Sequence, residues 1–275
     1  MPSFAVLDSV THLQAEHRGR AVYAASHGGL YAGAYAAKAG AGAVILNDAG
    51  IGRERAGLAG VDLLDTLGVP AATLSHRSCR IGDGADGLAR GVVSFANGRS
   101  TALGIAVGMS CREALTVLAG KSLAPAAAPD PRLLAEARFE VADLSGGGIR
   151  VFGLDSNGLV TAADAGHVVV TGSHGGLLGG NAATAVKHPV LAAVYNDAGF
   201  GSDDAGISRL PVLEARGIAA ACVSVFSARI GDARSTLDDG YVSALNATAV
   251  RMGGAIGQSC RTFVRTIVAN AGRRS

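Results

Sequence analysis

The chain has 275 residues, a hydrophobic fraction of 49% with 40 glycines besides, and a formal net charge of +2. That length leaves room for two compact units, each with its own core. A near-neutral balance without a basic cluster, an aromatic fraction of 4% and no Trp argue against a nucleic-acid binder, and no uncharged apolar run of about 18 residues reads as a membrane span.

The N-terminus lacks a basic stretch followed by an apolar one, so no secretory signal is expected. The cysteines, Cys79, Cys111, Cys222 and Cys260, form no Cys-x-x-Cys motif, which excludes a zinc ribbon. Free thiols and a cytoplasmic location follow as the expectation. Much of the apolar content is Ala and Gly, which favours tight helix–sheet packing or a large buried interface, so a homo-oligomer is expected.

In chain order, Phe4–Leu7 reads as a short strand ending at Asp8-Ser9. A second strand, Arg20–Ala25, ends at Ser26-His27-Gly28-Gly29. Leu30–Lys38 has the Ala and Tyr content of a helix. Ala43–Leu46 is a buried-type strand, and Asn47–Gly52 a loop. Gly57–Leu67 shows helical spacing at Leu58, Val61, Leu64 and Leu67, and Gly68 sits where a terminating glycine belongs. Val69–Leu74 is a strand followed by Ser78-Cys79-Arg80-Ile81-Gly82-Asp83. Leu88–Leu103 and Ser110–Leu118 read as helices. Gly120–Gly148, with Ala-Pro-Ala-Ala-Ala-Pro-Asp-Pro, reads as a linker containing a short helical piece at Arg132–Arg138. The order then returns, with strands expected at Arg150–Leu154, His167–Thr171, Val190–Tyr195 and Ile218–Val223.

The return is a sequence repeat. Asn47–Arg112 aligns without gaps to Asn196–Arg261 at an offset of 149, with 28 identities in 66 positions. Upstream the offset falls to 147, because the second copy is two residues longer between His-Gly-Gly and Asn-Asp. A period this long is a domain duplication and not a solenoid. The expected organisation is a first α/β repeat at 1–119, a linker at 120–150 and a second repeat at 151–275. The expected fold is two tandem Rossmann-like or flavodoxin-like units with mostly parallel sheets, related by a pseudo-twofold axis.

The two copies also filter each other. Of the seven histidines only His27 and His174 correspond. Every shared polar motif follows a predicted strand, and in open parallel sheets ligands bind beyond the carboxyl ends of strands. His27 and His174 are therefore expected acid–base groups. Asp48 and Asp197, from Asn-Asp-Ala-Gly, are expected bases or orienting carboxylates. Ser26, Gly28, Gly29, Ser173, Gly175 and Gly176 form an anion or oxyanion loop whose amides can approach a ligand closely. Asn47, Asn196, Arg80, Asp83, Arg229 and Asp232 complete the expected substrate contacts. Each has a plainer reading: a tight strand–helix turn for Gly-Gly, an Asx-turn for Asn-Asp, an internal ion pair for Arg-Ile-Gly-Asp. Asp8/Asp155 and Ser9/Ser156 read better as turn formers, and Ser94/Ser243 and Asn97/Asn246 as helix-packing polar residues.

Cys111 and Cys260 also correspond and suggest a two-base racemase, but a buried apolar cysteine is the better reading. Three functions stay open: hydrolysis of an amide or ester of a small carboxylate-bearing substrate, a cofactor-independent racemase or isomerase, and a non-catalytic small-anion binding protein. No cofactor is expected. A divalent metal stays open, since His and Asp occur in every motif loop.

Overall fold

The computed structural model describes residues 4–272; residues 1–3 and 273–275, the outer ends of the two expected units, lie outside the described residues. The chain is α/β. In order it forms β1 (Ala5–Leu7), β2 (Ala21–His27), α1 (Leu30–Lys38), β3 (Ala43–Asn47), α2 (Ala59–Thr66), β4 (Ala71–Leu74), α3 (Gly84–Arg90), β5 (Val93–Ala96), α4 (Gly98–Ala102) and α5 (Cys111–Ala119). There follow β6 (Arg138–Glu140), β7 (Val151–Leu154), β8 (Val168–His174), β9 (Ala192–Asn196), α6 (Arg209–Ala215), β10 (Ala219–Val223), α7 (Ala233–Asp238), β11 (Val242–Leu245), α8 (Ala247–Arg251) and α9 (Cys260–Ala271).

The strands build two mixed, mostly parallel sheets, in the orders β1-β2-β3-β4-β5 and β11-β10-β9-β8-β7-β6. Within each, only the last pairing at an edge is antiparallel: β4 with β5, β10 with β11, and β6 with β7. Sequential order means that neither sheet reverses direction, so neither has the switch-point crevice of doubly wound folds. Both faces are covered, which is why the strands are apolar throughout instead of alternating. In the first sheet Val22, Ala24, Val44 and Leu46 pack under α1 and α2, with Ala32, Ala36, Val61 and Leu64. Tyr23, Ala25, Ile45 and Leu74 pack on the other face with Cys111, Leu115 and Leu118 of α5. Each fully buried Leu or Val contributes roughly 1.5–3 kcal/mol.

Small residues set the spacing. A Cβ on Gly33 of α1 would lie 2.4 Å from the Gly60 carbonyl of α2, so the two helices meet backbone to backbone. α5 starts with a capping box: Ser110 accepts from the Glu113 amide and Glu113 from that of Ser110.

Three expected elements differ. Leu88–Leu103 is not one helix. α3 stops at Arg90, where Gly91 takes extended backbone (φ −63°, ψ 138°) close against Leu74, and the chain turns back into β5. Asn97 then caps α4 by accepting from the Ser100 amide. The second copy has no helix matching α1. Gly179 and Gly180 hold φ of +56° and +67°, and only a 3-10 turn at Ala182–Thr184 forms before β9. The linker's helical piece is a 3-10 turn at Pro131–Leu134, and Arg138–Glu140 pairs with β7 as a sheet edge.

Candidate functional site

The loops that follow β3 and β9, and those that follow β4 and β10, interlock across the two halves. A Cβ on Gly50 would lie 3.2 Å from the Gly199 Cα, and the reverse distance is also 3.2 Å. The Arg53 amide donates to the Val225 carbonyl and the Ser202 amide to that of His76, each at 2.8 Å. Ala49, Ala198, Ala205, Ile81 and Ile230 form a small apolar cluster there. The Asn-Asp loops are wound tightly. Ala49, Ile51, Glu54 and Arg55 have φ between 47° and 62°, and so do Ala198, Phe200, Asp203 and Asp204, with φ between 49° and 62°. Left-handed conformations at non-glycine residues cost roughly 1–3 kcal/mol each and persist only where surroundings hold them.

Against this junction the two expected histidines meet. The His27 and His174 ring centroids are 6.4 Å apart, edge to face. Both rings stand at strand ends, since β2 and β8 continue through them: His27 pairs with Asn47 and His174 with Asn196. In each, Nδ1 accepts a backbone N–H two residues on, from Gly29 or Gly176, at 3.1 Å. An imidazole whose Nδ1 accepts carries its proton on Nε2. Burial pushes the His27 pKa down to about 4. It also pushes His174 well below the ordinary histidine value, helped by the nearby Arg209 cation and by His27. Both rings are therefore neutral at pH 7, and each offers an Nε2–H donor while its lone pair is engaged.

The glycines beside them are required by packing. A Cβ on Gly28 would lie 2.3 Å from the Gly57 carbonyl, and one on Gly175 would lie 2.6 Å from that of Gly206. The amides of Gly28 and Gly175 donate to the carbonyls of Asn47 and Asn196, and those of Gly29 and Gly176 to the imidazoles. All four N–H groups of the expected oxyanion loops thus already have acceptors inside the fold.

The remaining expected residues hold the junction in matched ways. Ser26 and Ser173 accept from the amides of Val10 and Asn157. Asn47 and Asn196 close Asx-turns on the amides of Ala49 and Ala198. Asp83 and Asp232 cap α3 and α7. Arg80 reaches Asp203 at 2.9 Å, and Arg229 reaches Asp232 and Glu54 at 3.0 and 3.1 Å, so each arginine ties one half to the other. Asp8 and Asp155 accept from the amides of Gly84 and Ala233 at the starts of α3 and α7.

Asp48 and Asp197 do not touch His27 or His174. Asp48 Oδ1 accepts from the Gly50 amide, the His76 amide and His76 Nδ1, the last at 2.8 Å. Burial works to raise its pKa, but the His76 bonds and the Ser94 hydroxyl outweigh it and hold the carboxyl below its ordinary range. Asp197 accepts from the amides of Gly199 and Val225 and, on Oδ2, from the Ser243 hydroxyl at 2.7 Å. Cys111 and Cys260 lie in the cores of different sheets, fully buried, and burial pushes both thiols up to about 12. They share no pocket, so a racemase built on them has no geometric support. Among the described residues no group of three or more His, Cys, Asp or Glu is placed to hold a metal ion.

Two residues escaped the sequence reading. His76 has Val225 in its place in the second copy, although Ser75-His76 follows a strand as Ser26-His27 does. Glu136 belongs to the linker. It lines a cavity of about 420 Å³ between α1 and the Arg229–Asp232 loop, with Tyr31, Leu133, Asp155 and Ile230. This cavity comes close to the His27 ring, since a Cβ on its lining residue Gly231 would lie 3.5 Å from His27 Cε1. Comparison with protein-family models, with curated proteins and with solved structures finds no match to this chain.

Proposed function

We propose that the chain is an enzyme acting on a small molecule at the junction of two tandem homologous units, which sit about a pseudo-twofold axis between Gly50 and Gly199. The observation that carries this reading is the meeting of His27 and His174 at 6.4 Å, each neutral and each with Nε2–H as its available group. Neutral imidazole donors of this kind polarise a carbonyl and stabilise the oxyanion that develops on it. Hydrolysis of an amide or ester is the reaction this chemistry serves first. The imidazoles act as electrophiles and not as bases. The Gly-Gly loops contribute by fixing the tautomer.

The test is turnover of a panel of small nitrophenyl esters and nitroanilides by the wild type and by His27→Ala and His174→Ala. Each substitution is expected to lower kcat by about 100-fold, the scale of one lost oxyanion donor. Between pH 5 and 8 the profile should show no ionisation of either ring. Wild-type rates in both variants would leave the junction without a catalytic role.

A further inference from the structure

Two matched crevices flank the junction. One lies between the second half's Leu177–Ser208 wall and Arg80–Asp83, and has a volume of about 220 Å³. Its counterpart, with Arg229–Asp232 on one side, measures about 420 Å³. The two are built on aligned residues: Ile81 and Ile230, Asp83 and Asp232, Leu177 and Leu30, Ala205 and Ala56. Only the larger gains a wall from α1 through Tyr31 and a roof from the linker through Leu133 and Glu136.

Charge decides what the larger cavity accepts. Its two arginines are engaged: Arg229 with Asp232 and Glu54, Arg132 with Asp130. Asp155 holds two amides, those of Ala137 and Ala233, and Asp232 caps α7. Glu136 is different. The partners of its carboxyl are the hydroxyls of Tyr31 and Ser156, and among the described residues no cationic side chain forms an ion pair with it. Burial and the neighbouring Asp155 carboxylate raise its pKa, which is the response of an acid without a countercharge. The positive ends of the adjoining helices do not change the balance. α7 already has Asp155 and Asp232 at its start, and Glu136 lies against Tyr31 in the first turn of α1. Four acidic side chains and two arginines line the cavity, together with an aromatic ring and aliphatic carbon from Leu30, Leu133 and Ile230.

We propose that this cavity binds a small ligand whose basic nitrogen, an ammonium or amidinium group, sits against Glu136 while its carbon skeleton lies on Tyr31, Leu133 and Ile230. The assignment rests on the reading of the junction as a small-molecule site and names the class of molecule it takes. Opposite charge and hydrogen bonding act together on such a group, and the aromatic face adds a cation–π contact. The matching crevice lacks this carboxylate and this ring, so one site per chain is expected.

The experiment is calorimetric or NMR titration of the full chain with benzamidine, benzamide and benzoate, three probes of one shape and different charge. Benzamidine should saturate one site at millimolar concentration or below. Benzamide should bind at least about tenfold more weakly, and benzoate more weakly still. Glu136→Gln should weaken benzamidine by about tenfold while leaving benzamide unchanged, with the thermal melt confirming an intact fold. Tyr31→Leu keeps the α1 wall and should weaken benzamidine by a smaller factor. Benzoate binding as tightly as benzamidine, benzamidine binding unchanged in Glu136→Gln, or no saturation by benzamidine would each overturn the assignment. Because binding is read without turnover, loss of benzamidine binding alongside a catalytic effect of the histidine variants would sink the ligand class alone. Binding as expected with no effect of either histidine would sink the catalysis alone.

Discussion

The loops after β2 and β8 carry the same Ser-His-Gly-Gly and make the same internal bonds, yet the chain beyond them takes two different courses. In the first half it winds into α1, which lies directly on Gly60. In the second half Arg209 stands at the aligned position. The backbone there is unchanged: the Gly60 amide donates to the Gly28 carbonyl and the Arg209 amide to that of Gly175, both at 2.8 Å. The buried Arg209 side chain fills the place where α1 would pack and bonds the carbonyls of Gly176, Thr184 and Ala185. Its guanidinium also lies over the Tyr195 ring, 5.2 Å from the centroid. A helix contact in one half is thus replaced by a side-chain strut in the other, while the bond that each imidazole accepts on Nδ1 stays the same. The first course builds a wall of the larger cavity, and the second does not.

The largest expected effect tests the strut. Arg209→Ala leaves the Gly176 and Thr184 carbonyls without a donor, leaves Ala185 with only the Tyr195 hydroxyl, and opens a void, which should destabilise the chain by about 4 kcal/mol. Urea denaturation would show this as a lower midpoint. A loss below about 1 kcal/mol would mean that the 177–187 segment holds itself and that the strut is incidental.

The next tests the feature that the halves share. His27 titrates near pH 4 when folded and near 6.5 when unfolded. Between those values the unfolded chain takes up a proton that the folded chain refuses. Stability is therefore full above pH 6.5 and falls by about 3 kcal/mol as the pH drops to 4. His174 adds to the loss in the same direction, since burial, the Arg209 cation and His27 hold its folded pKa well below the ordinary value. Stability measured at steps from pH 7.5 to 4.5 should fall less steeply in His27→Gln than in the wild type. Superimposable slopes would place His27 in water when folded.

A third test returns to the contrast. Gly60→Ala puts a Cβ within 2.3 Å of the Gly29 carbonyl, 2.9 Å of the Gly33 amide and 3.0 Å of the Gly28 carbonyl, all three backbone groups that cannot swing away. It should cost about 2 kcal/mol and loosen α1. If it is neutral, α1 is not seated on α2 as closely as the first half requires.

What the sequence disclosed follows the strength of its local signals. The buried strands were legible because four or five consecutive apolar residues between polar punctuation have few alternatives. The repeat marks which polar residues correspond, and His27 and His174 stand 6.4 Å apart. It does not say why they correspond. The same Asx-turns, caps and cross-half ion pairs that preserve Asn47, Asp83 and Arg80 also occupy them, so shared identity reported the docking of the halves as much as any chemistry. β5 is not legible in the sequence because Val93–Ala96 is too short for alternation to show, and Gly91 is compatible with a weak helix. The missing helix of the second half was hidden by the alignment itself, since the two extra residues fall in the segment that changed. His76 and Glu136 lay beyond the reach of a comparison between copies, because each has a role in one half only.

The smallest effect concerns the two buried aspartates, which occupy aligned positions with different donors. Asp48 has the His76 ring. At the aligned position Val225 offers only its amide, and the side-chain donor to Asp197 is Ser243, at 2.7 Å. The aligned Ser94 also makes a 3.0 Å bond to Thr73, so its hydroxyl is shared. Ser243→Ala removes a charge-assisted bond from a carboxylate that is 3% exposed, and should cost about 1.5 kcal/mol. Ser94→Ala leaves Asp48 with His76 and should cost roughly 0.5 kcal/mol. The difference between the two losses, read from paired urea curves, measures how far His76 has taken over the serine's part. Equal losses would mean that the ring contributes nothing to Asp48, and that His76 is held at the junction only by its backbone.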